Sequence, residues 1–336
     1  MGISQSRTMQ YTYIVIWVII AFLVMWIVFY EMSLAKNLIW TQNMLNPLID
    51  YSEWKKNMDD KEIDLKTPLQ AFIQEKWYNN NETDHVSIYY KNLNNGNWFG
   101  INEEELFSPA SLMKLPLLLV YLKRIEQDPN VRDQKTVYLQ DPNESDHTQN
   151  IIPKKLLVHK QAYTIRELLE YMIMYSDNKA SLLLEKNISL EDYKKAFTDN
   201  DIIFPDLIDG RFDNNLKVIE YAKFFSVLFN SSYVNKELSN YALWLLTKVD
   251  FKQWLVAGIE DNTIVAHKFG ERNIIQNGTE KKQLHDCGII YYPNHPYVLC
   301  VMTRWYDWIT LRETIQNISH IVYTELRQSY GISEKQ

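Results

Sequence analysis

The chain of 336 residues is 46% hydrophobic and 23% charged, enough apolar side chain to bury one large or two modest cores and too much for a disordered chain. Its formal net charge is −7 and it has no long run of lysine and arginine, so the electrostatic footprint of a nucleic-acid partner is missing and that class is excluded.

The first element is apolar. Residues 8–30, between Arg7 and Glu31, carry no charge, and from Tyr13 to Tyr30 nearly every side chain is aliphatic or aromatic. A helix needs about 20 such residues to cross a bilayer, and a globular helix would keep a polar stripe that is absent here. Tyr11, Tyr13, Trp26 and Tyr30 stand near its ends, where amphipathic rings favour the headgroup layer. The small residues Ser33-Leu34-Ala35 would suit a cleavage site, but the run exceeds the roughly 7–15 apolar residues of a cleaved signal. The expectation is a short cytoplasmic tail over 1–10, a transmembrane signal anchor over 11–30 and a membrane-proximal stalk over 31–80 that turns helical near Thr67-Pro68. The protein is then single-pass in the cell membrane with its folded part outside the cytoplasm.

The folded domain is placed at 81–330. Val86 to Tyr90 reads as a strand, Asn94 to Asn97 as a turn and Trp98 to Ile101 as the hairpin partner. Helical periodicity then predicts helices near 111–127, 164–174, 178–187, 190–198, 216–229 and 236–247. Strand patterns return at 263–268, 284–292 and 297–303, and an amphipathic helix over 307–327 closes the chain. Strands at both ends of a helical middle predict an α+β fold, one sheet built from both termini of the domain with an inserted helical part. Cys287 and Cys300 flank the turn at 293–296. A cross-strand bridge is one option there, but two buried thiols packing as small hydrophobes is the expected state.

A serine three residues before a lysine sets a hydroxyl one helical turn from an amine that can take its proton once neutral. The pattern alone is weak, because the chain has it at Ser33/Lys36, Ser52/Lys55, Ser111/Lys114 and Ser176/Lys179. Ser111 stands out because it opens the apolar helix that continues Leu112-Met113-Lys114-Leu115-Pro116, where unpaired backbone N–H groups would face a developing oxyanion. A serine there could equally be a helix cap. Two further motifs follow in order: Ser176-Asp177-Asn178 after an apolar helix, and Lys268-Phe269-Gly270 at the end of a strand.

Serine-x-x-lysine, then Ser-Asp-Asn, then Lys-x-Gly resembles the three-part signature of class A β-lactamases and penicillin-binding proteins, over about residues 80–328. The resemblance implies a β-lactamase/transpeptidase-like fold with an antiparallel sheet. It implies Ser111 as the nucleophile that becomes the acyl-enzyme, Lys114 as its general base and Ser176 as the proton relay to the leaving group. Asn178 would bind a substrate amide and fix Lys114, while Lys268 would lend positive potential to the base network and to a substrate carboxylate. The N–H groups of Ser111 and Glu271 would form the oxyanion hole, with Gly270 letting substrate backbone pass. No metal or cofactor is implied. His267 and Asp286 read as packed, hydrogen-bonded structural residues.

Two positions depart from the family. Phe269 stands where most relatives carry a hydroxyl residue that helps bind the substrate carboxylate, leaving Arg272 or Arg304 as candidates for that contact. The stretch 204–215 contains no glutamate to activate a deacylating water, and only Asp206, Asp209 or Asp213 could substitute. The expectation is therefore a membrane-anchored serine acyl-transfer enzyme, peptidase or amidase, acting on a peptide or amide, peptidoglycan included. The alternatives are a class A β-lactamase and a catalytically silent extracytoplasmic binding module of the same fold.

Overall fold

The computed structural model describes residue 17 and residues 21–26, 43–46, 63–77, 86–139, 150–205, 207–208, 211–212, 216–260, 263–276 and 278–331. The expected transmembrane segment lies outside the described residues except for Trp17 and 21–26, which are helical. Among the described residues no helix is long and apolar enough to cross a membrane. Ser33, Lys36, Ser52 and Lys55, and with them two of the four serine-x-x-lysine pairs, also fall outside, as do Asp206, Asp209 and Asp213.

Met44–Gln336 form one compact unit. Helix α1 (Lys66–Trp77), within the stretch read as a stalk, belongs to that unit and buries Leu69 and Ile73. Five strands make the central antiparallel sheet: β1 (Val86–Asn92), β2 (Trp98–Ile101), β3 (Val265–Gln276), β4 (Thr279–Ile290) and β5 (Tyr297–Trp305), in the spatial order β2-β1-β5-β4-β3. Both chain ends of the domain thus supply the sheet, as the sequence pattern predicts. The middle of β5, Val298-Leu299-Cys300-Val301-Met302, is wholly buried, as a strand covered on both faces must be.

Between β2 and β3 lie α2 (Lys114–Gln127), α3 (Ile165–Met174), α4 (Asn178–Glu185), α5 (Leu190–Thr198), α6 (Val218–Phe229) and α7 (Lys236–Thr247); α8 (Trp308–Tyr330) closes the chain. Their starts follow from side-chain caps. Thr164 and Glu167 form a capping box at α3, Ser189 and Asp192 another at α5, and Asn235 caps α7 through the Leu238 N–H. Helix α2 is apolar nearly all round, with Leu115, Leu117, Leu118, Leu119 and Leu122 fully buried, so it runs through the core.

Two differences from the sequence reading concern the sheet. Strand β3 runs on to Gln276 and β4 starts at Thr279, several residues beyond the expected strands. The polar run Glu271-Arg272-Asn273 has little strand propensity of its own, and pairing with Leu284, Gln283 and Lys282 holds it extended. The cysteines are also not free thiols: Cys287 and Cys300 are joined in a disulfide. They are direct cross-strand partners of β4 and β5, so their side chains share one face at bonding range. The same row continues to Lys268 on β3, the partner of Cys287.

Candidate active site

Ser111 sits in a 3₁₀ turn, Ala110–Met113, that leads directly into α2. Neither helix start is capped by a side chain, so the hydroxyl is not spent on the capping role a serine there could serve. Ala110, just before it, has φ +48°, a left-handed backbone that a Cβ disfavours. Such strain persists only where the surroundings fix it. Here they do so through the carbonyls of the turn. The buried Tyr221 hydroxyl donates to Leu112 O at 3.1 Å and the Tyr193 hydroxyl to Met113 O at 2.6 Å.

Upstream, Ser108 is held at all of its polar groups. Its N–H donates to Gln283 Oε1 at 2.8 Å, its carbonyl accepts from His285 Nε2 at 2.9 Å and its hydroxyl accepts from Arg272 at 2.9 Å. His285 Nδ1 accepts the Thr303 N–H at 3.3 Å, so the ring is the neutral Nε2–H tautomer. Burial pushes its pKa from 6.5 down to about 3.

Lys114 lies one turn beyond Ser111 and is buried. Its ammonium donates to Ser176 O at 2.6 Å, Asn178 Oδ1 at 2.7 Å and Ser176 Oγ at 3.2 Å. Desolvation lowers its pKa from 10.5 to about 7, against the raising pull of the Asp177, Glu185 and Glu271 carboxylates. A lysine with that pKa is neutral often enough near pH 7 to accept a hydroxyl proton.

Ser176 also has a left-handed backbone, φ +55°, which turns the chain sharply between α3 and α4. The triplet divides its labour: Asp177 caps α4, accepting from the N–H groups of Lys179 at 2.7 Å and Ala180 at 3.2 Å, and leaves Ser176 and Asn178 facing Lys114.

Lys268, fully buried on edge strand β3, donates to Ser176 Oγ at 3.0 Å and to Phe269 O at 2.8 Å. Ser176 Oγ therefore stands between two lysine ammoniums. Desolvation, and after it the Lys114 charge, holds the Lys268 pKa well below its ordinary value.

Gly270 is packed closely on the turn that carries Ser111. A Cβ there would lie 3.0 Å from Pro109 O and 3.2 Å from Leu112 N, so glycine lets β3 pack against the Ser111 turn itself. Glu271, the next residue, is brought beside that turn. Its carboxylate reaches across to the loop after residue 149 and accepts the Ile151 N–H at 2.8 Å.

Phe269 is buried against Phe251 and Trp254, with ring centroids 4.9 and 5.3 Å away, and the Lys268 ammonium lies 4.1 Å from its centroid. Both arginines are bonded within the protein. Arg304 is buried and pairs with Glu105 at 3.1 Å and with Leu106 O, and Arg272 points to Ser108. His267 and Asp286 are fully buried and bonded to each other at 2.9 Å.

The structure thus brings Lys114, Ser176, Asn178 and Lys268 into one hydrogen-bonded network, with Ser111 one turn from Lys114 and Gly270 packed on the Ser111 turn. Sequence reasoning missed Tyr193, Tyr221, Gln283 and His285, which hold the turn from elements remote in the chain. A buried polar residue on an apolar strand or helix was the available signal, and it names no partner.

A model of the beta-lactamase enzyme family matches residues 64–326. The solved structures similar to this chain include PBP-A (20% identity, TM-score 0.63, covering 78% of this chain and 97% of that one). Another is the TLA-3 extended-spectrum beta-lactamase (16%, TM-score 0.66, 78% and 98%). A class A beta-lactamase from Bacteroides cellulosilyticus is similar too (18%, TM-score 0.65, 79% and 97%). At these identities the likeness is one of fold. No curated protein matches the chain.

Proposed function

The chain belongs to the beta-lactamase enzyme family, and from that premise we propose that it is a serine acyl-transfer enzyme, a peptidase or amidase that works through a Ser111 acyl-enzyme. The observation that carries the reading is Lys114, buried, held by Ser176 and Asn178, and lowered to a pKa of about 7 one turn from the Ser111 hydroxyl. Neutral Lys114 takes the hydroxyl proton as Ser111 Oγ bonds to the substrate carbonyl carbon. Ser176 passes its proton to the leaving nitrogen as the carbon–nitrogen bond breaks and takes in exchange the proton that Lys114 gained, while the N–H groups of Ser111 and Glu271 receive the oxyanion. Water or an acceptor amine then releases the acyl group. A stretch 204–215 without glutamate favours slow release, and so an acyl-transfer enzyme over an efficient β-lactamase.

The apolar run over 8–30 supports a membrane anchor, and the Cys287–Cys300 disulfide suits an oxidising, extracytoplasmic setting. A cell-wall peptide is the substrate class that fits this placement.

An uncharged fluorophosphonate is the direct test. Wild type should gain one adduct on Ser111 by intact mass and peptide mapping, and Ser111→Ala none. Folded wild type that stays unlabelled would favour the silent binding module. A penicillin adduct that forms quickly and clears within seconds would favour the β-lactamase.

A further inference from the structure

Glu271 has a second part in the site, separate from its backbone N–H. It follows Gly270 on the edge strand and its carboxylate accepts from Ile151, in the loop that Leu157 N pins to Asp177 at 3.3 Å. Strand β3 is tied twice to this loop and the Ser176–Asn178 turn, through Lys268 to Ser176 and, three residues further along β3, through Glu271 to Ile151. The carboxylate is partly buried, and its charge is felt by both Lys114 and Lys268.

The cations around it are committed inward. Lys114 and Lys268 share Ser176, Arg272 is bonded to Ser108, and Arg304 is bonded to Glu105. On the loop, Lys154 pairs with Asp250 at 2.7 Å and Lys155 lies over the Tyr175 ring. Among the described residues, an incoming carboxylate would therefore meet a fixed carboxylate beside arginines already bonded within the protein, and the aromatic ring of Phe269 adds no hydrogen-bond donor. An amide N–H or an ammonium would meet an acceptor. A carboxylate carries about four lone-pair sites, so the Ile151 N–H together with the side-chain and backbone donors of Asn150 still leaves room for one more donor.

We propose that Glu271 is the specificity-determining residue of this site, selecting acyl donors that present an amine or amide beside the scissile bond and rejecting those that present a carboxylate. The inference rests on the acyl-enzyme reading, because the selection is exercised on the group that leaves Ser111's substrate. Like charge opposed across a desolvated contact is an effective way to exclude a wrong partner.

The test uses three thioesters with one common acyl group, whose leaving thiols end in an ammonium, a carboxamide or a carboxylate. Acylation of the full chain is followed by intact-protein mass at one ionic strength and pH 7.5. Wild type should react at least about tenfold faster with the ammonium than with the carboxylate, the carboxamide falling between. Glu271→Gln keeps an oxygen to accept the Ile151 N–H and should compress the three rates to within about threefold. A purely structural role would lower all three together and leave their ratios alone. Equal rates in wild type, or unchanged ratios in Glu271→Gln, would overturn the assignment while fluorophosphonate labelling of Ser111 still upheld the acyl-enzyme. Failure of the fluorophosphonate to label would remove both.

Discussion

The turn that carries Ser111 and the edge strand that faces it are held in opposite ways. From Ser108 to Met113 the turn is gripped by Gln283, His285, Arg272, Tyr221 and Tyr193, four of them buried, and it tolerates a left-handed alanine as a result. Across from it, Phe269 and Glu271 each make a contact set of their own, an aromatic cluster and the loop residues Asn150 and Ile151. On the proposed reading the first region fixes where a bond is made and the second decides what is admitted.

The sharpest way to break that division is to remove the base while leaving the turn intact. Lys114→Met keeps an unbranched apolar chain in the buried slot, and should cut Ser111 acylation by about 10²–10⁴-fold with the fold retained by circular dichroism. The wild-type rate should also climb about tenfold per pH unit up to about 7 and then level off, because only the neutral amine accepts the proton. A flat profile between pH 5.5 and 8 would assign the base elsewhere.

The next effect belongs to the grip on the turn. His285 must stay neutral to donate to Ser108 O and accept from Thr303, so its pKa is about 3 in the folded chain against 6.5 unfolded. Between those values the unfolded chain binds a proton that the folded chain refuses, and stability falls as pH drops from 6.5 toward 3. The contribution is about 1.4 kcal/mol per pH unit inside that window. Urea titrations at pH 7, 6, 5 and 4 should show His285→Gln less stable than wild type at pH 7 but losing stability less steeply as pH falls. Parallel slopes would mean that the ring is not the titrating group.

How much of this could be seen in the sequence divides along the same line. The helices from 114 to 247 announce themselves through apolar periodicity, and the three motifs point to Ser111, Lys114, Ser176, Asn178 and Lys268 because each keeps its own local signature. The grip does not. Gln283 and His285 lie about 175 residues from Ser108 in the chain, and only the β3–β4 pairing sets them beneath it. The left-handed turns at Ala110 and Ser176 are likewise imposed by tertiary contacts that no dipeptide encodes. The longer β3–β4 hairpin did leave a mark, the dipeptide Asn277-Gly278, a strong two-residue hairpin signal. The polar run before it disguised the strand.

The smallest change joins the two regions. Gly270 lies between Phe269 and Glu271 on the admitting strand, yet its missing Cβ faces Pro109 O at 3.0 Å and Leu112 N at 3.2 Å, on the bonding side. An alanine there can be accommodated if the turn or the strand gives by a few tenths of an ångström, so Gly270→Ala should cost no more than about 1–2 kcal/mol in urea denaturation. The same small shift moves Ser111 against the Glu271 N–H, and a misplacement of about 1 Å in a reacting geometry is worth about 10²-fold. Acylation by the fluorophosphonate should therefore fall about tenfold, in proportion larger than the stability loss suggests. If rate and stability fall together, or the rate holds while stability drops, the close approach of β3 serves packing alone and the two regions are mechanically independent.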